Sequence, residues 1–136
     1  QTNEPVKIFW ATDILPGDVT MHSGDALLRH KVSERTLYDQ AWQEATKLGG
    51  FDALFCNEQG FVTEGGRTSI FVKPQGSSEW LTPPVSAGLL PGVMRAALLA
   101  DPKMNAREAN LTIKDVSMAD EIILSNALRG AIKAHF

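Results

Sequence analysis

The sequence predicts a mixed α/β fold, built from short strands and a few helices in one chain of 136 residues. Three observations lead to this expectation. Short apolar runs lie between Gly, Pro and Asn turns, which is typical of strands. One longer stretch repeats its apolar residues at helical spacing. There is no internal repeat, and the mixture of elements disfavours a bundle or a sandwich. We expect residues 1–136 to form a single domain, because a chain of this length can bury one core.

The first half of the chain is predicted to contain a strand, an irregular segment, a helix and a hairpin. Residues 6–11 form an apolar run, and residues 12–24 look irregular. A helix is expected over residues 34–48, with Ser33 as its N-cap and Gly49 at its end. The apolar residues that recur at helical spacing are Leu37, Ala41, Ala45 and Leu48. Strands are expected at 53–56 and 60–63, around a turn at 57–60.

The second half continues the alternation. Strands are expected at residues 69–72 and 80–82, and a helix at 92–99, with Pro91 near the first-turn position that tolerates proline. Two further strands are expected at 111–113 and 121–124, separated by a short turn of helix.

Charge and composition exclude several function classes. The net charge is −3 with both signs interspersed, so no nucleic-acid partner is expected. The apolar stretches are too short to span a bilayer, and no signal peptide is visible. The single Cys56 forbids an internal disulfide and is interpreted as a small core residue. We therefore expect a cytoplasmic protein without a nucleic-acid or membrane partner.

Three features could carry chemistry. Residues 62–71 place Glu64 beside Gly65 and Gly66 at a strand end, where a carboxylate can face a cleft. Residues 81–95 run from a strand through Pro91 into a helix start, whose free N–H groups can bind a phosphate. Lys31 precedes the first helix and could present a nucleophilic amine. Taken singly, these features are better explained as a solvated lysine, a turn carboxylate and an ordinary turn.

Together, these strings resemble the class IV (fold type IV) enzymes that depend on pyridoxal 5'-phosphate: branched-chain aminotransferases, D-amino-acid aminotransferases and aminodeoxychorismate lyases. The matching blocks are residues 28–38, 58–71, 81–95 and 119–130. The resemblance implies the large C-terminal domain of the D-amino-acid aminotransferase fold, a mixed sheet or pseudo-barrel with surrounding helices. The family's smaller N-terminal domain has no counterpart here, which puts activity of this chain alone in question.

The resemblance also implies roles for single residues. Lys31 would be the catalytic residue that holds the cofactor, and Glu64 would face the ring nitrogen. The phosphate would be bound by the amides of two residues at the helix start and by a second contact at a later strand end; these residues are Val93, Met94, Ser125 and Asn126. Arg35 could meet a substrate carboxylate or pair with a neighbouring acid, and Tyr38 is interpreted as packing. Ser69 stands where the family commonly has Asn, and no metal site is predicted.

Within the family, the segment around Lys31 and the short remainder after Gly130 look most like an aminodeoxychorismate lyase, especially one fused behind an aminodeoxychorismate synthase domain. This implies elimination of pyruvate from 4-amino-4-deoxychorismate to give 4-aminobenzoate, a precursor of folate. Two alternatives stay open: an aminotransferase for branched-chain or D-amino acids, and a non-catalytic part of a larger synthase. A homodimer is the family's usual assembly.

Overall fold

Eight strands form one mixed sheet in the part of the chain that the structure, a computed structural model, describes: residues 4–24 and 32–136, with the side chains of 4–24 and 35–136. The strands are β1 (Val6–Trp10), β2 (Asp52–Cys56), β3 (Val62–Gly65), β4 (Ser69–Lys73), β5 (Trp80–Thr82), β6 (Ala106–Glu108), β7 (Glu121–Asn126) and β8 (Gly130–His135). The helices are α1 (Ala11–Ile14), α2 (Val32–Lys47), α3 (Val93–Ala100) and α4 (Ile113–Ser117), with a 3₁₀ turn at Val85–Ala87.

The order of strands across the sheet is β3-β2-β1-β8-β7-β4-β5-β6. Strand β1 pairs in parallel with both β2 and β8, and β5 pairs in parallel with β6, whereas the other pairs are antiparallel. The two edges come together, because Phe61 bridges to Thr112 and the Val62 N–H donates to the Leu111 carbonyl at 2.7 Å. The sheet is therefore curled into a half-barrel, which confirms the predicted fold class.

Two apolar cores lie on opposite faces of this sheet, because side chains alternate along each strand. Leu54 of β2 points into the core inside the curl, and its neighbours Ala53 and Phe55 point outward under the helices. The inner core contains Ile8, Leu54, Val62, Ile70, Val72, Leu111, Val116, Ile122, Leu124 and Ala134. The outer core contains Ala11, Val19, Met21, Ala41, Ala53 and Phe55. Strand β2 thus joins helix α2 to the sheet.

Cys56 packs against the inner core, in agreement with its interpretation as a core residue. Burial raises the pKa of the Cys56 thiol to about 11, so the reactive thiolate is disfavoured at neutral pH.

Several predicted elements are wrong in detail. Helix α2 begins at Val32, so Ser33 lies inside the helix and is not its N-cap. Leu48 is 51% exposed instead of packing with the apolar stripe. Residues 111–113 are not a strand, because Thr112 caps α4: its hydroxyl accepts from the Asp115 N–H, and the Asp115 carboxylate accepts from the Thr112 N–H. The residues expected to be irregular contain most of α1.

Two strands lack a counterpart in the predicted elements: β6, which is three residues long and largely exposed, and β8. Among the described residues, no helix is long and apolar enough to cross a membrane.

Candidate functional site

A cavity of about 310 Å³ opens at the end of the sheet where three chain segments meet: the turn after β3, the start of α3 and the end of β7. Helix α2 contributes Tyr38 from one side. The lining residues are Tyr38, Glu64, Gly65, Gly66, Arg67, Thr68, Ser69, Leu90, Gly92, Val93, Met94, Arg95, Ser125, Asn126 and Ala127. Five of the residues predicted to hold the cofactor are in this list: Glu64, Val93, Met94, Ser125 and Asn126. Sequence positions more than sixty residues apart are therefore neighbours here.

Glu64 lies near the end of β3 and receives a hydrogen bond from helix α2. The Tyr38 hydroxyl donates to Glu64 Oε2 at 3.1 Å. Tyr38 also packs edge-on against Phe55, with ring centroids 5.1 Å apart. Tyr38 thus has the packing role that was expected, and it also makes a polar contact with Glu64 that was not predicted.

The turn that follows Glu64 is held by Asp52, a residue that the sequence analysis missed. Asp52 is fully buried at the start of β2 and accepts four hydrogen bonds. Its Oδ1 accepts from the N–H groups of Ala53 and Gly66 at 2.7 and 2.9 Å. Its Oδ2 accepts from the Arg67 N–H at 3.0 Å and from the Thr68 hydroxyl at 2.8 Å. One carboxyl group thereby fixes the backbone that forms one wall of the cavity.

Two glycines make this arrangement possible through close approach. A Cβ at Gly65 would overlap the Asp52 carboxylate, and one at Gly66 would lie 2.5 Å from the Tyr38 carbonyl oxygen. Neither glycine has a positive φ, so their role here is space and not an unusual backbone conformation. Any larger residue would push the turn away from Asp52 and α2.

The start of α3 presents backbone N–H groups to the cavity. Helix α3 begins at Val93, and its N-cap Gly92 offers no side chain to accept from the first amides. The first N–H of the helix to find a carbonyl within it is that of Ala96, which donates to Gly92 at 3.1 Å. The amides of Val93 and Met94 precede it, and the helix dipole favours an anion beside them.

At the end of β7, Ser125 supplies a buried hydroxyl. Ser125 is 2% exposed, and its Oγ has no hydrogen-bond partner among the described residues. The neighbouring Asn126 uses its side-chain oxygen to accept from the N–H groups of Leu128 and Arg129 at 3.1 and 2.7 Å. The unpartnered hydroxyl and the free helix amides line one cavity, so these residues fit a phosphate group.

Two arginines line the same cavity in different ways. Arg95 is buried, donates to the Pro83 carbonyl at 2.9 Å and forms a short ion pair with Glu108, so its charge is already neutralised. Arg67 is half exposed, lies over the Trp42 ring at 5.1 Å and is 3.6 Å from Asp39.

The two other predicted site residues are Arg35 and Lys31. Arg35 is exposed and does not line the cavity, although it shares a face of α2 with Tyr38 at i, i+3 spacing. Lys31 lies outside the described residues. The residue after it, Val32, begins α2, the helix that carries Tyr38 into the cavity.

Comparison with known proteins gives a consistent result. The model of the family described as amino-transferase class IV matches residues 4–135. A protein of Schizosaccharomyces pombe assigned as an aminodeoxychorismate lyase is 32% identical over 107 residues, which cover 76% of this chain and 46% of the relative.

Two crystal structures have similar folds. One is from Legionella pneumophila and is assigned as a 4-amino-4-deoxychorismate lyase. It has a TM-score of 0.79 at 28% identity, and the match covers 98% of this chain and 48% of the L. pneumophila chain. Another is from Mesorhizobium loti and is assigned as an amino-acid aminotransferase; it has a TM-score of 0.77 at 33% identity, and the match covers 97% of this chain and 59% of the M. loti chain. The chain thus spans about half the length of these relatives.

Proposed function

Because the chain belongs to the class IV aminotransferase family, we propose that it binds pyridoxal 5'-phosphate in the cavity beside Glu64 and acts as a 4-amino-4-deoxychorismate lyase. The observation that carries the proposal is that two chemically distinct sets of groups line one cavity. One set is the Ser125 hydroxyl, which has no partner among the described residues, and the amides of Val93 and Met94 in the first turn of α3. The other is the carboxylate of Glu64.

In this proposal the chain's own residues hold and orient the cofactor. The Val93 and Met94 amides and the Ser125 hydroxyl bind its phosphate, with Asn126 shaping the turn that follows. Glu64 faces the ring nitrogen and keeps it protonated. Lys31 attaches the cofactor through its amine. When bound, pyridoxal phosphate supplies an aldehyde that captures the substrate amine and a ring that accepts electrons.

Lys31 is also the proposed base of the reaction. Its free amine takes the C4 proton of the substrate, and the C–O bond to the enolpyruvyl group breaks. The ring becomes aromatic as 4-aminobenzoate, and the released enol takes up a proton and leaves as pyruvate. Because aromatisation favours elimination, the protein has mainly to position the substrate and move protons.

The names of the S. pombe and L. pneumophila relatives support the lyase reaction. A second candidate is transamination of a branched-chain or D-amino acid with the same lysine and carboxylate, which the likeness to the M. loti aminotransferase favours. A third is a non-catalytic part of a larger synthase, which the partial coverage of the relatives keeps open. We further propose that the assembly is a homodimer.

Product analysis separates these candidates. With 4-amino-4-deoxychorismate and no keto acid, the lyase should release 4-aminobenzoate and pyruvate in equal amounts, measured by fluorescence and by lactate dehydrogenase coupling. An aminotransferase should instead convert added 2-oxoglutarate to glutamate in the presence of an amino donor. Glutamate formation without 4-aminobenzoate would replace the proposed reaction by the second one.

Ser125→Ala tests the proposed phosphate end of the cavity. The variant should bind pyridoxal phosphate roughly tenfold more weakly, because a hydrogen bond to a charged group is lost. Its free energy of unfolding should not fall, since the Ser125 hydroxyl has no partner to lose among the described residues. Fluorescence titration and urea denaturation measure the two quantities. Ser77→Ala, in the loop between β4 and β5, is the matched control; equal affinity in both variants would exclude Ser125 from the phosphate site.

A further inference from the structure

Tyr38 is held in a fixed position, and its hydroxyl donates to Glu64, the carboxylate that is proposed to face the cofactor. Its ring stands at 89° to the ring of Phe55, which is buried in the outer core. Its backbone carbonyl packs against Gly66, where an added Cβ would come within 2.5 Å. The ring is therefore held from the side of β2, and the backbone from the side of the turn after Glu64.

Packing alone does not account for a tyrosine at this position. A phenylalanine would make the same edge-on contact with Phe55, whereas a part-buried hydroxyl needs a hydrogen-bond partner. Among the described residues, two acceptors lie near the Tyr38 hydroxyl: Glu64 Oε2 at 3.1 Å and Met21 Sδ at 3.5 Å. The hydroxyl has one proton, and the carboxylate is the stronger acceptor because a thioether sulfur accepts weakly.

We infer that Tyr38 is a positioning residue for Glu64: its hydroxyl holds Oε2 and thereby orients the carboxylate toward the ring nitrogen of the cofactor. The hydrogen bond joins α2, which begins directly after Lys31, to β3, which carries Glu64. This inference rests on the proposed function and adds a residue to it.

The test compares how tightly two ligands bind to the chain with and without the Tyr38 hydroxyl. Dissociation constants are measured by tryptophan fluorescence for pyridoxal phosphate and for its analogue with carbon in place of the ring nitrogen. Tyr38→Phe should weaken binding of pyridoxal phosphate about tenfold, because Glu64 loses the hydrogen bond that orients its carboxylate toward the charged ring nitrogen. Binding of the carbon analogue should change by less than about twofold, because it makes no contact with Glu64 through a ring nitrogen.

Two controls complete the experiment. Thr46→Val removes a hydroxyl from the same helix, where it donates to the Trp42 carbonyl, and should leave both affinities unchanged. In a Glu64→Ala background, which removes the acceptor, Tyr38→Phe should have almost no further effect, because the pair acts as one unit.

Each remaining outcome decides the question. Equal weakening of both ligands, or no weakening of either, would overturn the role of Tyr38 and leave the proposed function intact. Failure of the unsubstituted chain to bind pyridoxal phosphate would overturn the proposed function, and the role of Tyr38 with it.

Discussion

Replacing Lys31 by alanine is expected to reduce the proposed lyase turnover by roughly a thousandfold or more, because the variant would lose both the amine proposed to attach the cofactor and the base proposed to take the substrate proton. The loss should appear mainly in kcat. Binding of the cofactor phosphate should persist, since the proposed phosphate contacts at Val93, Met94 and Ser125 are unchanged. Release of pyruvate from 4-amino-4-deoxychorismate measures the rate.

Lys47→Ala is the matched control for this variant. Lys47 lies in the last turn of α2 and, within the described part of the chain, makes a long, exposed ion pair with Glu44 at 3.9 Å, so its loss should leave turnover unchanged. Turnover of Lys31→Ala at the unsubstituted rate would eliminate Lys31 as the catalytic residue.

Replacing Asp52 by asparagine is expected to lower the free energy of unfolding by about 1–3 kcal/mol, the cost of leaving a buried donor without an acceptor. Asparagine can keep Oδ1 for Ala53 and Gly66, but its NH₂ group would face the Arg67 N–H that now donates to Oδ2. The Thr68 hydroxyl can turn to accept instead of donating, whereas a backbone N–H cannot. The mismatch at Arg67 arises whether Asp52 is ionised or protonated.

Urea denaturation measures this effect, and Asp18→Asn is its control. Asp18 is an exposed turn acid whose Oδ1 accepts from the Thr20 N–H, and asparagine retains that acceptor. Because Asp52 fixes the turn after Glu64, Asp52→Asn should also weaken cofactor binding, unlike Asp18→Asn. Unchanged stability of Asp52→Asn would show that the four hydrogen bonds to Asp52 do not hold the turn.

The destabilisation caused by Asp52→Asn should depend on pH with a defined sign. Burial raises the pKa of the Asp52 carboxyl above its ordinary value of 3.8, and the four hydrogen bonds oppose this effect. The folded chain therefore binds this proton more tightly than the unfolded chain, so Asp52 favours folding most in acid and less as the pH rises through its folded pKa. The stability gap between the unsubstituted chain and Asp52→Asn should therefore narrow as the pH rises from about 3.8, the ordinary pKa of the carboxyl, through its raised folded pKa.

Much of the fold is predictable because its signals are local. The apolar spacing of α2, the hairpin turn at residues 57–60 and the Pro-Gly start of α3 each indicate their element within one short window. Strand β6 lacks such a signal, because it is three largely exposed residues at the edge of the sheet. The error at residues 111–113 has a local cause as well: the capping box at Thr112 competes with the β-propensity of its apolar neighbours.

The site is predictable in part for a different reason. Glu64, Val93, Met94, Ser125 and Asn126 were recognisable by resemblance, and the structure brings them to one cavity, while their roles remain proposals. Asp52 was not recognisable, because the side-chain and backbone groups that make it important are 14 to 16 residues away in the sequence. The one sequence signal for Asp52 was its position as an acidic residue at the start of an apolar strand. The contact between Tyr38 and Glu64, 26 residues apart, likewise depends on how α2 packs on the sheet.

The measurement that tests the central claim most directly is borohydride reduction of the chain after incubation with pyridoxal phosphate, followed by peptide mass spectrometry. Reduction fixes the cofactor to the amine that holds it. The proposed site predicts a single modified peptide, with the added mass on Lys31, and none in Lys31→Ala. Addition to another lysine, or no addition at a cofactor concentration that saturates binding, would contradict the assignment of this cavity as a pyridoxal phosphate site centred on Lys31.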